Sequence, residues 1–290
     1  MTGRYRRGML LIIGLLSLMA ISARASTADP MLERGRWVYQ GSCAVCHGVA
    51  GDGRGMSAHM FVIQPRDFRQ GIYKFRSTPT GSLPLDRDLF LTITRGVRGT
   101  SMVPQTHLSD TDRWAVVQYI KTFSSRFPHE TPPQGIPVPD PPPRTPALVR
   151  DGRALYVEAG CGECHGARAR GDGPKAHGLR DDWGWPTSPA DLTRRPLKGG
   201  STPLDLYRTL ATGIGGTPMP SYLDSLEPQQ IWALVAYLRS LPSPAEMARE
   251  EAVVGEEARG YMVERIARMM GPGMIGPGMM GRMPMVRGMQ

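Results

Sequence analysis

All four cysteines of the chain fall in two short stretches, CAVCH at 43–47 and CGECH at 161–165. Each offers two thiols separated by two residues and an imidazole directly after them. Three chemistries use such a unit. A redox dithiol of the thioredoxin type needs a βαβ surrounding, which neither stretch has. A zinc site would need the two pairs, 118 residues apart, to meet in space. A covalently attached haem needs one unit only: the thiols add to the vinyl groups and the histidine takes the proximal side of the iron. Each motif suffices alone for the third chemistry, so the residues favour it.

The elements that would position these groups also occur twice. GRWVYQGSCAVCHG at 35–48 aligns with GRALYVEAGCGECHG at 152–166, and DLFLTITRGVRGTSM at 88–102 with DLYRTLATGIGGTPM at 205–219. LSDTDRWAVVQYIKTF at 108–123 aligns with LEPQQIWALVAYLRSL at 226–241, and a GDG triplet at 51–53 recurs at 171–173. Order is kept throughout, so the chain holds two copies of one module.

Both modules read as helical at their ends. Met31 to Gln40 and Leu148 to Glu158 mix apolar and charged residues at helical spacing before each cysteine pair. Ser109 with Asp112 resembles a capping box, followed by Trp114, Val117, Ile120 and Lys121. Its twin starts at Pro228 and carries Ile231, Leu234, Val235 and Leu238 on one face. Trp37, Trp114 and Trp232 are expected in the cores, while Trp183 and Trp185 fall in a loop without a counterpart in the first copy. Turn-rich segments lie between, with no alternating run, so the expected fold class is all-α. Residues 128–146 contain nine prolines, which fix φ and donate no amide hydrogen bond; an extended, semi-rigid spacer is expected there.

With these motifs in place, the chain resembles the class I c-type cytochromes, in particular periplasmic two-domain, dihaem ones. The resemblance covers roughly residues 30–125 and 147–242. It implies haem attachment at Cys43 and Cys46 with His47 as axial ligand, and at Cys161 and Cys164 with His165. It also implies a methionine sixth ligand in the loop before the last helix: Met102 in GTSMVP and Met219 in GTPMP, 55 and 54 residues after their histidines. Val103 separates Met102 from its proline, a departure from the usual Met-Pro. Met56, His59, Met60 and His177 are the other sixth-ligand candidates, and bis-histidine ligation would lower the potential. His107 and His129 read as surface or linker residues.

The first residues, with Arg4, Arg6 and Arg7, an apolar run from Met9 to Ile21, and Ala23-Arg24-Ala25, have the order of a secretory signal peptide cleaved after Ala25. An uncleaved anchor is the alternative, but the run falls short of the ~20 residues that span a bilayer. Removing residues 1–25 takes four arginines and no acid, so the formal charge falls from +9 to +5. No basic stripe with interleaved aromatics speaks for nucleic acid. The expected organisation is signal peptide 1–25, first cytochrome c domain 26–127, proline-rich linker 128–146, second domain 147–242, and an extension over 243–290.

That extension is charged and helix-prone over 244–270, although Gly255 and Gly260 interrupt it, and is expected to be solvated rather than docked. From Met269 to the end, eight of 22 residues are methionine. Thioethers suit Cu(I), so copper is a candidate ligand, beside a tail without one or a contact for a partner or membrane surface. The function expected is a periplasmic dihaem cytochrome c that passes single electrons between a redox protein donor and acceptor, and is not itself an enzyme. The alternatives are a dihaem subunit of a larger oxidoreductase and a peroxidase-like dihaem enzyme.

Overall fold

The computed structural model describes residues 29–255. Among them the structure is helical, with one isolated bridge between Arg180 and Pro186 and no extended sheet. The first module contains α1 (Pro30–Ser42), α2 (Ala44–His47), a 3-10 turn at Ala58–Met60, α3 (Asp86–Arg95) and α4 (Asp110–Lys121). The second contains α5 (Pro146–Glu158), α6 (Gly162–His165), α7 (Pro203–Thr212) and α8 (Pro228–Leu238).

Local chemistry sets where these helices begin. The Asp29 carboxylate accepts the Met31 amide ahead of α1, and the Thr145 hydroxyl accepts the Leu148 amide ahead of α5. Pro30 and Pro146 fill first-turn positions that have no helical acceptor for an amide in any case. The last proline of the expected spacer is therefore the first residue of a helix. Ser109 caps α4 by accepting the Asp112 amide, as its sequence suggests.

In each module the first helix crosses the last, α1 on α4 and α5 on α8. A glycine stands at each crossing. A β-carbon at Gly35 would lie 2.1 Å from the Ala115 carbonyl oxygen, and one at Gly152 would lie 1.9 Å from that of Ala233, so the backbones touch where a side chain would hold them apart. Val38, Tyr39, Val116, Val117 and Ile120 form the core beside the first crossing; Tyr156, Ile231, Trp232, Leu234 and Val235 form the core beside the second.

The tryptophans divide. Trp232 is buried and Trp114 stacks on Phe90 with ring centroids 4.3 Å apart, as expected. Trp37 is not a core residue: it is 75% exposed. It lies two residues from the buried Tyr39, on the other side of α1, and only one of those two positions can face α4.

The proline-rich segment is bound to both modules rather than spanning free between them. The Ile136 amide donates to the Ser77 carbonyl at 2.7 Å, the Ile136 side chain is buried in the second core, and the Trp232 Nε1–H donates to the Pro139 carbonyl at 3.2 Å. Trp232→Phe keeps an aromatic ring, though a smaller one, and removes that bond. It should cost about 1 kcal/mol in chemical denaturation and speed proteolysis within 133–140.

Direct contacts lock the modules together. Arg76 Nη2 donates to the Thr212 carbonyl at 2.8 Å, Thr80 Oγ1 donates to the same oxygen at 2.9 Å, and the Gly215 amide donates to the Lys74 carbonyl at 3.1 Å. Arg95 pairs with Asp205 at 3.3 Å. Beyond α8 the chain is helical again over 244–255, and this stretch is docked, contrary to expectation. Glu250 is 4% exposed between Arg195 and Arg239, 3.3 and 2.8 Å away, and Glu246 accepts the Arg195 amide. A buried carboxylate held by two guanidinium groups fixes the helix to the second module. Signal peptide 1–25 and the methionine-rich run from Met269 lie outside the described residues. Among the described residues, no helix is long and apolar enough to cross a membrane.

Candidate functional site

Each C-x-x-C-H unit is one helical turn. The His47 amide donates to the Cys43 carbonyl and the His165 amide to the Cys161 carbonyl, both at 2.9 Å. In such a turn, positions i, i+3 and i+4 share a face, so two thiols and one imidazole project to the same side. A tyrosine in the preceding helix holds each turn from behind. Tyr39 Oη donates to the Gly48 carbonyl at 2.7 Å, and Tyr156 Oη to the Gly166 carbonyl at 2.8 Å. Sequence reasoning passed over these tyrosines, although both stand shortly before the first cysteine of their repeat.

The histidines are oriented by backbone. His47 Nδ1 is 3.1 Å from the Arg66 carbonyl oxygen, and His165 Nδ1 is 2.9 Å from that of Ala190. A carbonyl can only accept, so each Nδ1 carries the proton and each Nε2 keeps its lone pair for a metal. Burial, opposed by these hydrogen bonds, holds both histidines below their ordinary pKa and hence neutral.

The first thiol of each pair has the opposite character from a redox-active one. Burial, with Cys46 adding to it, pushes Cys43 up to about 11, and burial raises Cys161 despite a hydrogen bond from Tyr222. A reactive dithiol needs a stabilised thiolate, which such surroundings do not provide. Nor does a zinc centre form: among the described residues, no three His, Cys, Asp or Glu side chains come together to hold a metal ion.

Met102 and Met219 sit in loops with the same hydrogen bonds. Val97 and Ile214 amides donate to the carbonyls of Met102 and Met219, and the Met102 and Met219 amides donate to Thr100 Oγ1 and Thr217 Oγ1. Gly96 and Gly213 open the loops, both at φ 65 and ψ −168, a conformation closed to residues with a β-carbon. Val103 does not disturb the first loop; it stands where Pro220 stands in the second. The GDG triplets, by contrast, are not equivalent. Gly53 and Gly171 donate to the carbonyls of His47 and His165, and Gly55 and Gly173 to those of Cys46 and Cys164, so the structural register is two residues off the triplet match.

In the first module these groups face one space. A cavity of about 250 Å³ is lined by Cys43, Cys46 and His47, by Met102, and by apolar side chains including Phe68, Leu89, Ile93 and Val116. Met56, His59 and Met60 are exposed and do not line it, and His177 is exposed in the second module. In the second module, Cys161 and Met219 pack against the same core cluster.

Comparison with known proteins agrees with this arrangement. The family described as Cytochrome c matches residues 149–242, and that described as Cytochrome C oxidase, cbb3-type, subunit III matches residues 30–120. A chain of the Kuenenia stuttgartiensis reducing HAO-like protein complex is 40% identical, with a TM-score of 0.71, over 73% of this chain and 96% of that one. The chain belongs to the class I c-type cytochromes and has two of their domains. No curated protein matches. Neither family match reaches the methionine-rich tail, and nothing in them supports copper.

The donor set of this cytochrome fits haem c. Each half supplies two thiols, a neutral imidazole and a thioether, and the first supplies a mostly apolar cavity to receive a flat macrocycle. Asp67, which does not line that cavity, is held under its ordinary carboxylate pKa chiefly by hydrogen bonds from Arg69, at 2.7 to 3.3 Å. A depressed folded-state pKa stabilises the fold above the unfolded value and is lost as pH falls through the folded one. Asp67→Asn should therefore lower thermal stability near neutral pH by at most about 1 kcal/mol, discounted because Arg69 is exposed, and the difference from the parent should shrink as pH falls below the ordinary carboxylate range, as a pH series of melts would read.

Proposed function

We propose that this cytochrome is an exported dihaem electron carrier. One haem is attached at Cys43 and Cys46 and ligated by His47 and Met102; the second is attached at Cys161 and Cys164 and ligated by His165 and Met219. The observation that carries this reading is the convergence of Cys43, Cys46, His47 and Met102 on one cavity. The matching loops around Met219 and His165 extend it to the second half.

Bound haem supplies a one-electron couple. The chain supplies the rest. Neutral histidines and half-buried methionines would fill both axial positions of a bound haem, which would leave small molecules no open site. With both ligands in place the bound group would exchange single electrons outer-sphere, and the residues that hold it would need little rearrangement. Val45 within the candidate attachment turn and Val103 beside Met102 are exposed, as are Val49 and Val62, apolar positions a redox protein could cover. Likeness to a chain of a reducing HAO-like complex supports a working place beside such a partner, as carrier or subunit. The leader expected at 1–25 supports the periplasm.

Mass spectrometry of the purified protein tests the attachment. The mature chain should carry two haem additions, and Cys43→Ser/Cys46→Ser and Cys161→Ser/Cys164→Ser should each lose one. A five-coordinate haem in the parent protein, or turnover of peroxide, would overturn the carrier reading.

A further inference from the structure

The wall of the first cavity carries more positive charge than its apolar floor accounts for. Arg66, Lys74 and Lys198 line it together with Tyr73. Lys198 belongs to the second module, in the loop before α7, so two modules build one wall. Arg66 Nη2 and Tyr73 Oη are buried without a hydrogen-bond partner among the described residues, and Tyr73 is only 8% exposed.

Unpartnered donors in a buried site are costly, and cations crowded together are more so. Burial first, then the charges of Arg66 and Lys198, push Lys74 down to about 8, with Asp181 opposing. Asp181, Asp182 and Asp67 lie near enough to act on Arg66, yet none of them lines the cavity. The site thus presents three cations and a buried phenol, with no carboxylate among its lining residues to neutralise them. Its chemistry asks for an anion with more than one oxygen. On the reading above, the ligand entering this cavity is haem, whose negative groups are its two propionate carboxylates.

We propose that the second module completes the first module's haem site: Lys198 joins Arg66, Tyr73 and Lys74 in holding the propionates, and Trp183 positions Arg66. The indole of Trp183 lies 3.8 Å from the Arg66 guanidinium carbon, across the boundary between modules. The arrangement is one-sided. Arg66 and Ala190 are the equivalent residues that accept from the proximal histidines, so the second module has alanine where the first has its arginine. A positive charge beside the ring favours the reduced iron. Lys198 therefore tunes a haem in the module to which it does not belong.

This inference rests on the dihaem reading, and one experiment separates the two. In the full-length holoprotein, spectroelectrochemical titration assigns each couple by its response to Met102→Ala or Met219→Ala. Lys198→Met should lower the Met102-dependent couple, raising the oxidised-to-reduced ratio at the parent midpoint several-fold. The Met219-dependent couple should stay in place, and Lys198→Arg should restore the parent value. Tyr73→Phe should shift the same couple in the same direction by less. If neither variant moves the Met102-dependent couple, or if Lys198→Met moves only the other, the shared site is wrong while the dihaem reading stands. If the parent protein carries no haem on Cys43 and Cys46, the reading beneath it fails instead.

Discussion

Gly152→Ala and Gly35→Ala should each destabilise the protein by at least about 3 kcal/mol, the upper range for overpacking, because the new methyl group meets backbone. The β-carbon would fall 1.9 Å from the Ala233 carbonyl oxygen at Gly152 and 2.1 Å from that of Ala115 at Gly35, with Tyr237 and Tyr119 side chains next in line. A flexible side chain could swing away; a helical carbonyl cannot move without opening the crossing of α5 on α8 or α1 on α4. Those crossings carry Tyr156 and Tyr39, which hold the attachment turns, so haem loading should fall along with stability. Gly41 is the control. It lies in α1, exposed, with nothing within 4 Å of an added β-carbon. Gly41→Ala should stabilise by up to about 1 kcal/mol through helix propensity alone. Chemical denaturation of the three holoprotein variants checks the pattern, and an unchanged midpoint for Gly152→Ala would contradict the crossing geometry.

Met102→Ala and Met219→Ala should each lower one of two redox couples by more than about 0.1 V, within the ~0.8 V that axial ligands command, and leave the other within experimental error. A thioether is a soft, neutral ligand that favours the reduced iron, and alanine offers nothing in its place. The loops should survive the change. Their shape depends on Gly96 and Gly213 at their start, Thr100 and Thr217 inside them, and main-chain carbonyls, none of which uses the sulfur. Loss of the ligand should therefore be separable from loss of the fold: circular dichroism stays at the parent value while the potential falls. Met56→Ala and Met60→Ala, at exposed positions, should change neither couple.

Much of the candidate attachment site was legible in the order of residues because its geometry is local. One helical turn places positions i, i+3 and i+4 on one face, so C-x-x-C-H determines its own arrangement wherever a helix can form. The repeat added the methionines, since a glycine, a threonine and a methionine at equal spacing before a capped helix recur in both halves. Side-chain facing was less legible. Trp37 and Tyr39 are both aromatic and two residues apart, and only the partner helix decides that tyrosine turns inward. The GDG match misled for a related reason: identical letters occupy different places in the loop, where hydrogen bonds to His47 and His165 set the register.

By itself the sequence determined an all-α chain of two like modules, each with its thiols, imidazole and thioether at fixed spacing, because these features depend on helical periodicity and short-range order. Only the tertiary structure decided how the modules meet. Arg66, Tyr73 and Lys74 stand in one loop region and Trp183 and Lys198 in another more than a hundred residues on. No periodicity relates them, and Arg66 and Ala190 break the repeat at the point that matters. The docked proline segment and the 244–255 helix belong to the same class. Each is placed by a few long-range contacts, Trp232 to Pro139 and Glu250 to Arg195 and Arg239, which exist only after both halves have folded against each other and around them.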